Sequence, residues 1–357
     1  MSLLKSVFTN NIVFKTIGIL IFTCLITGCD RIDIELTSTA PITSTDSQHL
    51  LKKTQILSYL NWMSTSDSVL VGQNIGHADG SLNYGHYLHL TTPPAVLSVD
   101  LGYDDYNRNY SDLISFIQNH YQNNGIVTVS FHMPNPYNRR DVRNNSKFKY
   151  SLLYTQGNST NKNLKTILNN IGNFLQALKN KDIIVIVRMY PEMNGGWFWW
   201  GNNKNWPSQD EFKNLWNYSH QYLVEERKLD NLLFVYCANY QYSSDLKAVD
   251  YFYPGDEMVD LVGLDYYNDD FNNLNQNNSY TTLSNINKPL VICEIGPQSS
   301  NGNFNNLNYL ELLKYPKIAY FSAWHSWKND KWAIEDNLNM SLLMSNDKII
   351  TRNKIKF

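Results

Sequence analysis

Two glutamates are the reactive equipment of this chain. Glu192 lies in residues 188–201 (RMYPEMNGGWFWWG) and Glu294 in residues 293–296 (CEIG). Each follows an apolar run, and each has a glycine within four residues. Only 17% of the residues are charged, so a carboxylate beside Trp197, Trp199 and Trp200 calls for a reason. Two carboxyl groups facing one cleft can cleave a glycosidic bond. One must be protonated to help the leaving oxygen depart, and the other ionised to attack the sugar or activate water. Proximity separates their pKa values, because two negative charges in a partly desolvated pocket resist ionising together. Aromatic rings suit the same substrate, since sugars present apolar C–H faces that stack on them. Trp197, Trp199, Trp200 and Trp324 are candidates for that role. For Trp199 and Trp200 core packing weighs at least as heavily, because adjacent residues seldom all face one groove.

The elements that must position these groups are short apolar runs at 68–74, 95–100, 126–132, 183–190, 232–239, 259–267, 290–296 and 317–325. Stretches of helical period separate most of them, clearest at 111–123, 163–181 and 209–228, and Ser208 is placed to cap the last. Nearly continuous apolar strands alternating with helices imply a parallel sheet covered on both faces. Eight strands in this length predict an α/β fold of the (β/α)8 TIM barrel type, with an open doubly wound sheet as the competing architecture. A barrel concentrates its chemistry at the carboxyl ends of its strands. Here those ends deliver His132, Glu192, Asn239, Tyr266 or Tyr267, Glu294 and Trp324.

The same residues resemble glycoside hydrolase family 26, best known for endo-β-1,4-mannanases. Residues 188–201 resemble the family's acid/base segment, and the Glu-Met-Asn-Gly-x-Trp-Phe-x-Trp-Gly pattern within them is its most specific part. Shorter matches follow in the expected order: Ser130-Phe131-His132 with Asn135-Pro136, residues 253–257 leading into 260–267, Cys293-Glu294-Ile295-Gly296, and residues 320–324. The resemblance implies a (β/α)8 barrel with the acid/base after strand four and the nucleophile after strand seven. Glu192 would then be the acid/base and Glu294 the nucleophile of a retaining hydrolase, their carboxyls about 5 to 5.5 Å apart. It further implies that Tyr267 hydrogen-bonds the nucleophile, that Trp324 floors the sugar at the cleavage point with Trp197 beside it, and that His132 contacts substrate. Asn194, inside the matched segment, joins the expected substrate-binding set. Arg188 joins it as well, either pairing with the carboxylates or forming a buried ion pair of the barrel.

Two positions depart from the family pattern. Pro191 stands where a histidine usually precedes the acid/base, and proline supplies neither a side-chain donor nor a backbone N–H. His325-Ser326 follows Trp324, where mannanases more often have Arg-Asn. The catalytic pair is intact, and the departures bear on which sugar is accepted. Endo-β-1,4-mannan is the expected substrate. The alternatives are another β-glycan (mixed-linkage glucan, xylan or the cell's own envelope polysaccharide) and a non-catalytic carbohydrate-binding protein. The loop from 133 to 160, with Arg139, Arg140 and Arg143, could meet an acidic or decorated glycan, or could simply be a solvated surface loop.

A formal net charge of -2 over 357 residues gives no basic field for a nucleic-acid partner, and none is expected. Aromatics reach 13%, more than a core requires, so part of them should line a binding surface. At the amino terminus Lys5 and Lys15 precede an apolar run at 17–26, which is short for a bilayer span and has the layout of a secretory signal. Its ending, Leu25-Ile26-Thr27-Gly28-Cys29, resembles a lipobox. Residues 1–28 are thus expected to be a lipoprotein signal and Cys29 the lipidated first residue, with 29–46 a Thr/Ser-rich tether and 47–357 the catalytic domain. The domain would then work in the bacterial cell envelope, anchored to a membrane through Cys29, and it is expected to act as a monomer. Cys237 and Cys293 sit in apolar runs and read as buried thiols, with a disulfide between them the lesser alternative. No cysteine or histidine spacing of metal-binding type stands out, and two carboxyl groups with water need no cofactor, so neither metal nor cofactor is expected.

Overall fold

Alternation along each strand decides what the strand buries. In the strand Leu232–Asn239, Leu233, Val235 and Cys237 point to one apolar cluster while Leu232, Phe234 and Tyr236 belong to another. The same two-residue period divides the other strands. The inner cluster gathers Leu70, Val96, Ile126, Ile184, Ile186, Leu261 and Val291. The outer one packs the opposite faces against the helices. A sheet buried on both faces closes on itself more readily than it can expose either one.

The computed structural model describes residues 45–357 apart from 79–81, 103–108, 139–141, 144–145 and 205. The expected signal, Cys29 and the tether up to residue 44 lie outside the described residues, as do Arg139 and Arg140. The eight main strands are β1 (Val69–His77), β2 (Val96–Asp100), β3 (Ile126–Ser130), β4 (Val185–Arg188), β5 (Leu232–Asn239), β6 (Leu261–Tyr267), β7 (Leu290–Gly296) and β8 (Ile318–Ala323). They pair in parallel and in order, and β8 pairs with β1 to close the barrel. A short ninth strand, β9 (Ile349–Ile350), runs along the start of β1. The doubly wound alternative is excluded.

The helices are α1 (Thr45–Met63), α2 (Gly85–Leu88), α3 (Ser111–Gln122), α4 (Ser159–Lys179), α5 (Gln209–Gln221), α6 (Ser279–Ser284) and α7 (Met340–Ser345). Helix α4 starts four residues before the expected 163 because Asn158 caps it, accepting from the Thr160 N–H at 2.8 Å. Ser208 caps α5 in a full capping box with Glu211. No α-helix bridges β5 to β6. That segment contains Pro254-Gly255, with Gly255 at φ +116°, and only a 3-10 turn, Asp256–Met258, forms before β6. Ile56, Leu60 and Met63 of α1 join the inner cluster. Lys52 donates to the Asp182 carbonyl, and Ser64 to that of Lys317, both just ahead of strands. Helix α1 therefore covers the end of the barrel where strands begin, leaving the other end for chemistry. Among the described residues no helix is long and apolar enough to cross a membrane.

Candidate active site

The inward face of each strand, followed in steps of two, leads out of the apolar interior and into a polar ring. On β2 the series is Val96, Ser98, Asp100; on β3 it is Ile126, Thr128, Ser130, then His132; on β4 it is Ile184, Ile186, Arg188. On β5 the step after Cys237 is Asn239, and on β6 Gly263 leads to Asp265 and Tyr267. Strand β7 breaks the rule. Ile292 opposes Leu264, but the next partner of Asp265 is Glu294, so Cys293 is an extra residue in a bulge. Strict alternation would send Glu294 outward after inward Cys293. The bulge turns it inward to join the ring.

Glu294 is held from two sides. The Arg188 guanidinium donates through Nη1 to Glu294 Oε1 and through Nη2 to Asp265. The Tyr267 hydroxyl donates to Glu294 Oε2 at 2.8 Å. Burial, and then the adjacent Glu294 charge, push the Tyr267 phenol well above its ordinary range, so it stays a donor. One side of the Glu294 carboxylate is therefore held by a cation and the other by a phenol. Gly296 makes room for this: a Cβ there would lie 2.7 Å from the Trp332 ring and 3.0 Å from that of Tyr267.

Glu192 has different company. It sits in a turn beyond β4 with φ +54°, and Tyr190 two residues earlier has φ +50°, so two non-glycine residues occupy the left-handed region within one turn. Such geometry costs about 1–2 kcal/mol per residue and persists where the surroundings over-determine it. Here the Glu192 N–H donates to the Cys237 carbonyl at 3.0 Å. Its carboxylate accepts from Asn239 Nδ2 at 2.5 Å and from the Trp197 indole N–H at 2.6 Å. A Cβ on Gly195 would fall 2.1 Å from the Trp197 ring, which explains the glycine in this segment. Burial, followed by the nearby Glu294 charge, raises the Glu192 pKa, against the opposing pull of Arg188, Asn239 and Trp197. One oxygen each from Glu192, Asp265 and Glu294 lie within 4.8 Å of one another. One guanidinium cannot balance three carboxylates: burial, opposed by Arg188, pushes the Asp265 carboxyl well above its usual range, and Glu192, which Arg188 does not touch, is the carboxyl at the cavity placed to keep a proton.

A cavity of about 300 Å³ opens over the pair, lined by His77, His132, Arg143, Glu192, Phe198, Tyr267, Glu294, Trp324, Trp327 and Trp332. On one wall Asp100 receives His77 Nδ1 at 2.9 Å, His132 Nδ1 at 2.6 Å and the Ser130 hydroxyl at 2.9 Å. Burial opposes ionisation of Asp100, but His132 and His77 outweigh it and hold the carboxyl well below its usual range. His325 lies behind His77 with Nδ1 2.9 Å from Asn74 Oδ1. Burial, reinforced by His77, lowers it to about 3, so it is neutral. Trp197 also lines a second hollow of about 570 Å³, with Lys204, Tyr242, Asp245 and Lys247 on its other walls.

The expected residues divide cleanly. Glu192, Glu294, His132, Tyr267 and Trp324 meet at the cavity, and Trp197 reaches it through Glu192. Arg188 and Asn194 do not reach it. Arg188 is 2% exposed and bonded to Glu294 and Asp265, so it both pairs with a catalytic carboxylate and forms a buried ion pair of the barrel, and the two expected roles coincide. Asn194 is 0% exposed; its Nδ2 donates to the Asn239 carbonyl and its Oδ1 accepts the Asn239 N–H. It fastens the β4 turn to β5 and has no surface for a ligand. Trp199 and Trp200 are core: both are fully buried, with indole N–H groups on the Met133 and Pro191 carbonyls. Pro191 is itself buried and ties the loop through that carbonyl.

His77, Asp100, Asp265, Phe198, Trp327 and Trp332 were not expected at the site. The two aspartates could have been found by counting in twos from the apolar runs. Trp332 could not, because a loop delivers it. Cys237 and Cys293 are free buried thiols, as expected, with sulfurs close to Asp265 beneath the ring.

Two carboxyl groups so differently held, at the carboxyl end of a (β/α)8 barrel and under aromatic walls, define a glycosidase-type site. A model of glycosyl hydrolase family 26 matches residues 46–354. The chain is 33% identical over 257 residues to a mannan endo-1,4-beta-mannosidase of Bacillus subtilis strain 168, covering 68% of this chain and 66% of the relative. It is 31% identical over 281 residues to mannan endo-1,4-beta-mannosidase A and B of Caldalkalibacillus mannanilyticus, covering 74% of this chain and 52% of the relative. The matches thus span just under two thirds and about half of those relatives. Among solved structures, Bacillus subtilis mannanase BCman superposes with a TM-score of 0.75 at 26% identity, covering 86% of this chain and 94% of that one. Mannanase man26 of the same organism gives 0.76 at 25%, covering 88% and 96%. This chain belongs to glycosyl hydrolase family 26.

Proposed function

We propose that the chain is a retaining endo-β-1,4-mannanase. The observation that carries the reading is the separation of the two glutamates. One oxygen each from Glu192 and Glu294 lie within 4.8 Å, which sits nearer the carboxyl spacing of about 5–5.5 Å in retaining enzymes than the about 6.5–9.5 Å at which an inverting enzyme seats a water. Glu294, held in line by Arg188 and Tyr267, attacks the anomeric carbon. Glu192, carrying the proton that its surroundings favour, gives it to the departing oxygen and then takes one from water to release the sugar. Trp324 and the rings around it cover the apolar face of the reacting unit and exclude competing water. Trp197, bonded to Glu192, walls a separate hollow that would seat further sugar units beyond the cleavage point, which supports cleavage within a chain.

The substrate assignment rests on relatives named as mannan endo-1,4-beta-mannosidases together with these walls. Its test is release of reducing ends from β-mannan, galactomannan, glucomannan, lichenan and xylan, with the anomer formed first read by proton NMR. Release from mannans with the β-anomer appearing first is the expected outcome. First formation of the α-anomer would falsify the retaining mechanism, and release from xylan or lichenan alone would overturn the substrate. Arg143 on the cavity wall makes an acid-decorated glycan a useful addition to the panel.

We also propose that the protein is exported and held to the envelope as a monomer by lipid on Cys29, on the strength of the apolar run and the sequence 25–29. Cys29→Ser should move it from the membrane to the soluble fraction. An unchanged membrane fraction would refute the lipid anchor.

A further inference from the structure

Away from the cavity, four side chains from two distant segments converge. His86 and His89 are three residues apart on α2 and the residue after it, and Glu335 and Asp336 lie in a 3-10 turn beyond β8. His86 Nδ1 lies 2.6 Å from Glu335 Oε1 and 4.0 Å from Asp336 Oδ2, and His89 Nδ1 contacts Glu335 Oε2. His86 is 3% exposed, whereas His89 is 70% exposed. Donor atoms of His86, Glu335 and Asp336 all fall within 4.8 Å, and His89 reaches the same carboxylate from the solvent side. Lys331 Nζ lies 3.7 Å from Asp336 Oδ1 and is 43% exposed on a flexible stem.

We propose that this cluster is a structural site for a zinc-like divalent cation. Two imidazoles and two carboxylates are the donor set that such ions favour, and four ligands close a tetrahedral shell. The donors of a tetrahedral zinc site stand roughly 3.3 Å apart, from bonds of about 2.0–2.1 Å, so His86, Glu335 and Asp336 need modest carboxylate movement, and the exposed His89 ring must swing inward from Glu335 to complete the shell. The second nitrogen of His86 is provided for: Nε2 lies 3.4 Å from the Ser326 carbonyl and 3.2 Å from Asn83 Nδ2. With the site empty, Nδ1–H rests on Glu335 and Nε2 accepts from Asn83. With an ion on Nδ1, the proton moves to Nε2 and is donated to Ser326, the backbone partner typical of ligating histidines.

The location gives the ion a task. The Ser326 hydroxyl oxygen accepts the backbone N–H groups of Trp332 and Ala333, both at 3.0 Å, and so shapes the loop carrying Trp327 and Trp332 to the cavity. An ion joining α2 to residues 335–336 would pin that loop from outside. Its occupancy should raise thermal stability and tighten substrate binding, with little effect on the chemical step.

The test is to strip the intact protein with chelator, titrate zinc by calorimetry, follow thermal unfolding, and record the visible spectrum with cobalt in its place. Expected are one equivalent bound, a higher melting temperature and the intense absorption of tetrahedral cobalt. His89→Ala, at an exposed position where the fold should be unaffected, should weaken binding at least about tenfold. Glu335→Gln should weaken it further. No stoichiometric binding overturns the proposal. So does one equivalent whose affinity is unchanged in both variants, because the ion would then sit elsewhere, for example on His77, Asp100 and His132.

Discussion

The loop after β4 carries four tryptophans and the loop after β8 three, and the two use them in opposite ways. After β4, Trp199 and Trp200 are sealed inside, and only Trp197 reaches the reactive groups, through its N–H on Glu192. After β8, Trp324, Trp327 and Trp332 all line the cavity. Spacing accounts for the difference. Adjacent side chains leave the backbone in divergent directions, so a run such as Trp197-Phe198-Trp199-Trp200 must divide between groove and core. Tryptophans three and five residues apart, on a loop turned by Ser326, can converge. The β4 loop is a stiff mount for one carboxyl group, while the β8 loop is a binding wall. Replacements should therefore separate chemistry, stability and affinity.

The largest effect belongs to the carboxyl that the β4 loop presents. Glu192→Ala should lower turnover of polymeric mannan by about 10²–10⁴-fold, and far less for an aryl glycoside whose leaving group needs no proton. Equal losses on both substrates in steady-state kinetics would remove Glu192 from the acid role. Next comes the mount. Trp199→Ala empties a fully buried site and frees the Met133 carbonyl that tied this loop to the one after β3, and should cost about 3–5 kcal/mol of stability in denaturant unfolding.

On the opposite wall, Trp332→Ala should raise KM roughly tenfold, about 1.4 kcal/mol, while leaving the unfolding midpoint nearly unchanged. A large stability loss there, or none at Trp199, would erase the distinction between the loops. The smallest effect is on pH. Because the Glu192 pKa is raised, kcat/KM should fall on the alkaline side as pH climbs through that value and the proton is lost. Trp197 favours the ionised form by donating to it, so Trp197→Phe should move this limb to higher pH. A shift to lower pH would reverse the sign of the argument.

The fold was legible because every strand of a closed parallel barrel is apolar on both faces, which marks it even where connecting helices are weak. The missing helix between β5 and β6 coincides with Pro254-Gly255, a readable signal. Glu192, Glu294 and Tyr267 were legible from motif and strand position together. Asn194 was assigned to substrate because a motif does not say which of its residues face the groove and which hold the loop; burial does, while Arg188 pairs with the carboxylates as one of its two expected readings had it. Glu294 itself faces inward only through the bulge at Cys293, which alternation along the sequence would not have predicted. His77 is set by a register shift after Asn74 at the end of β1, and Trp332 by where a loop turns, and nothing in their local sequence fixes either.

The central claim is that Glu294 forms a covalent bond to the sugar. A 2-fluoro mannoside with a good leaving group slows both displacement steps, and the glycosyl-enzyme should accumulate for peptide mapping by mass spectrometry. The account predicts a single label on Glu294 in the peptide containing Cys293-Glu294-Ile295-Gly296. A label on another residue, or turnover of mannan by a Glu294→Ala variant at the unmodified rate, would contradict it.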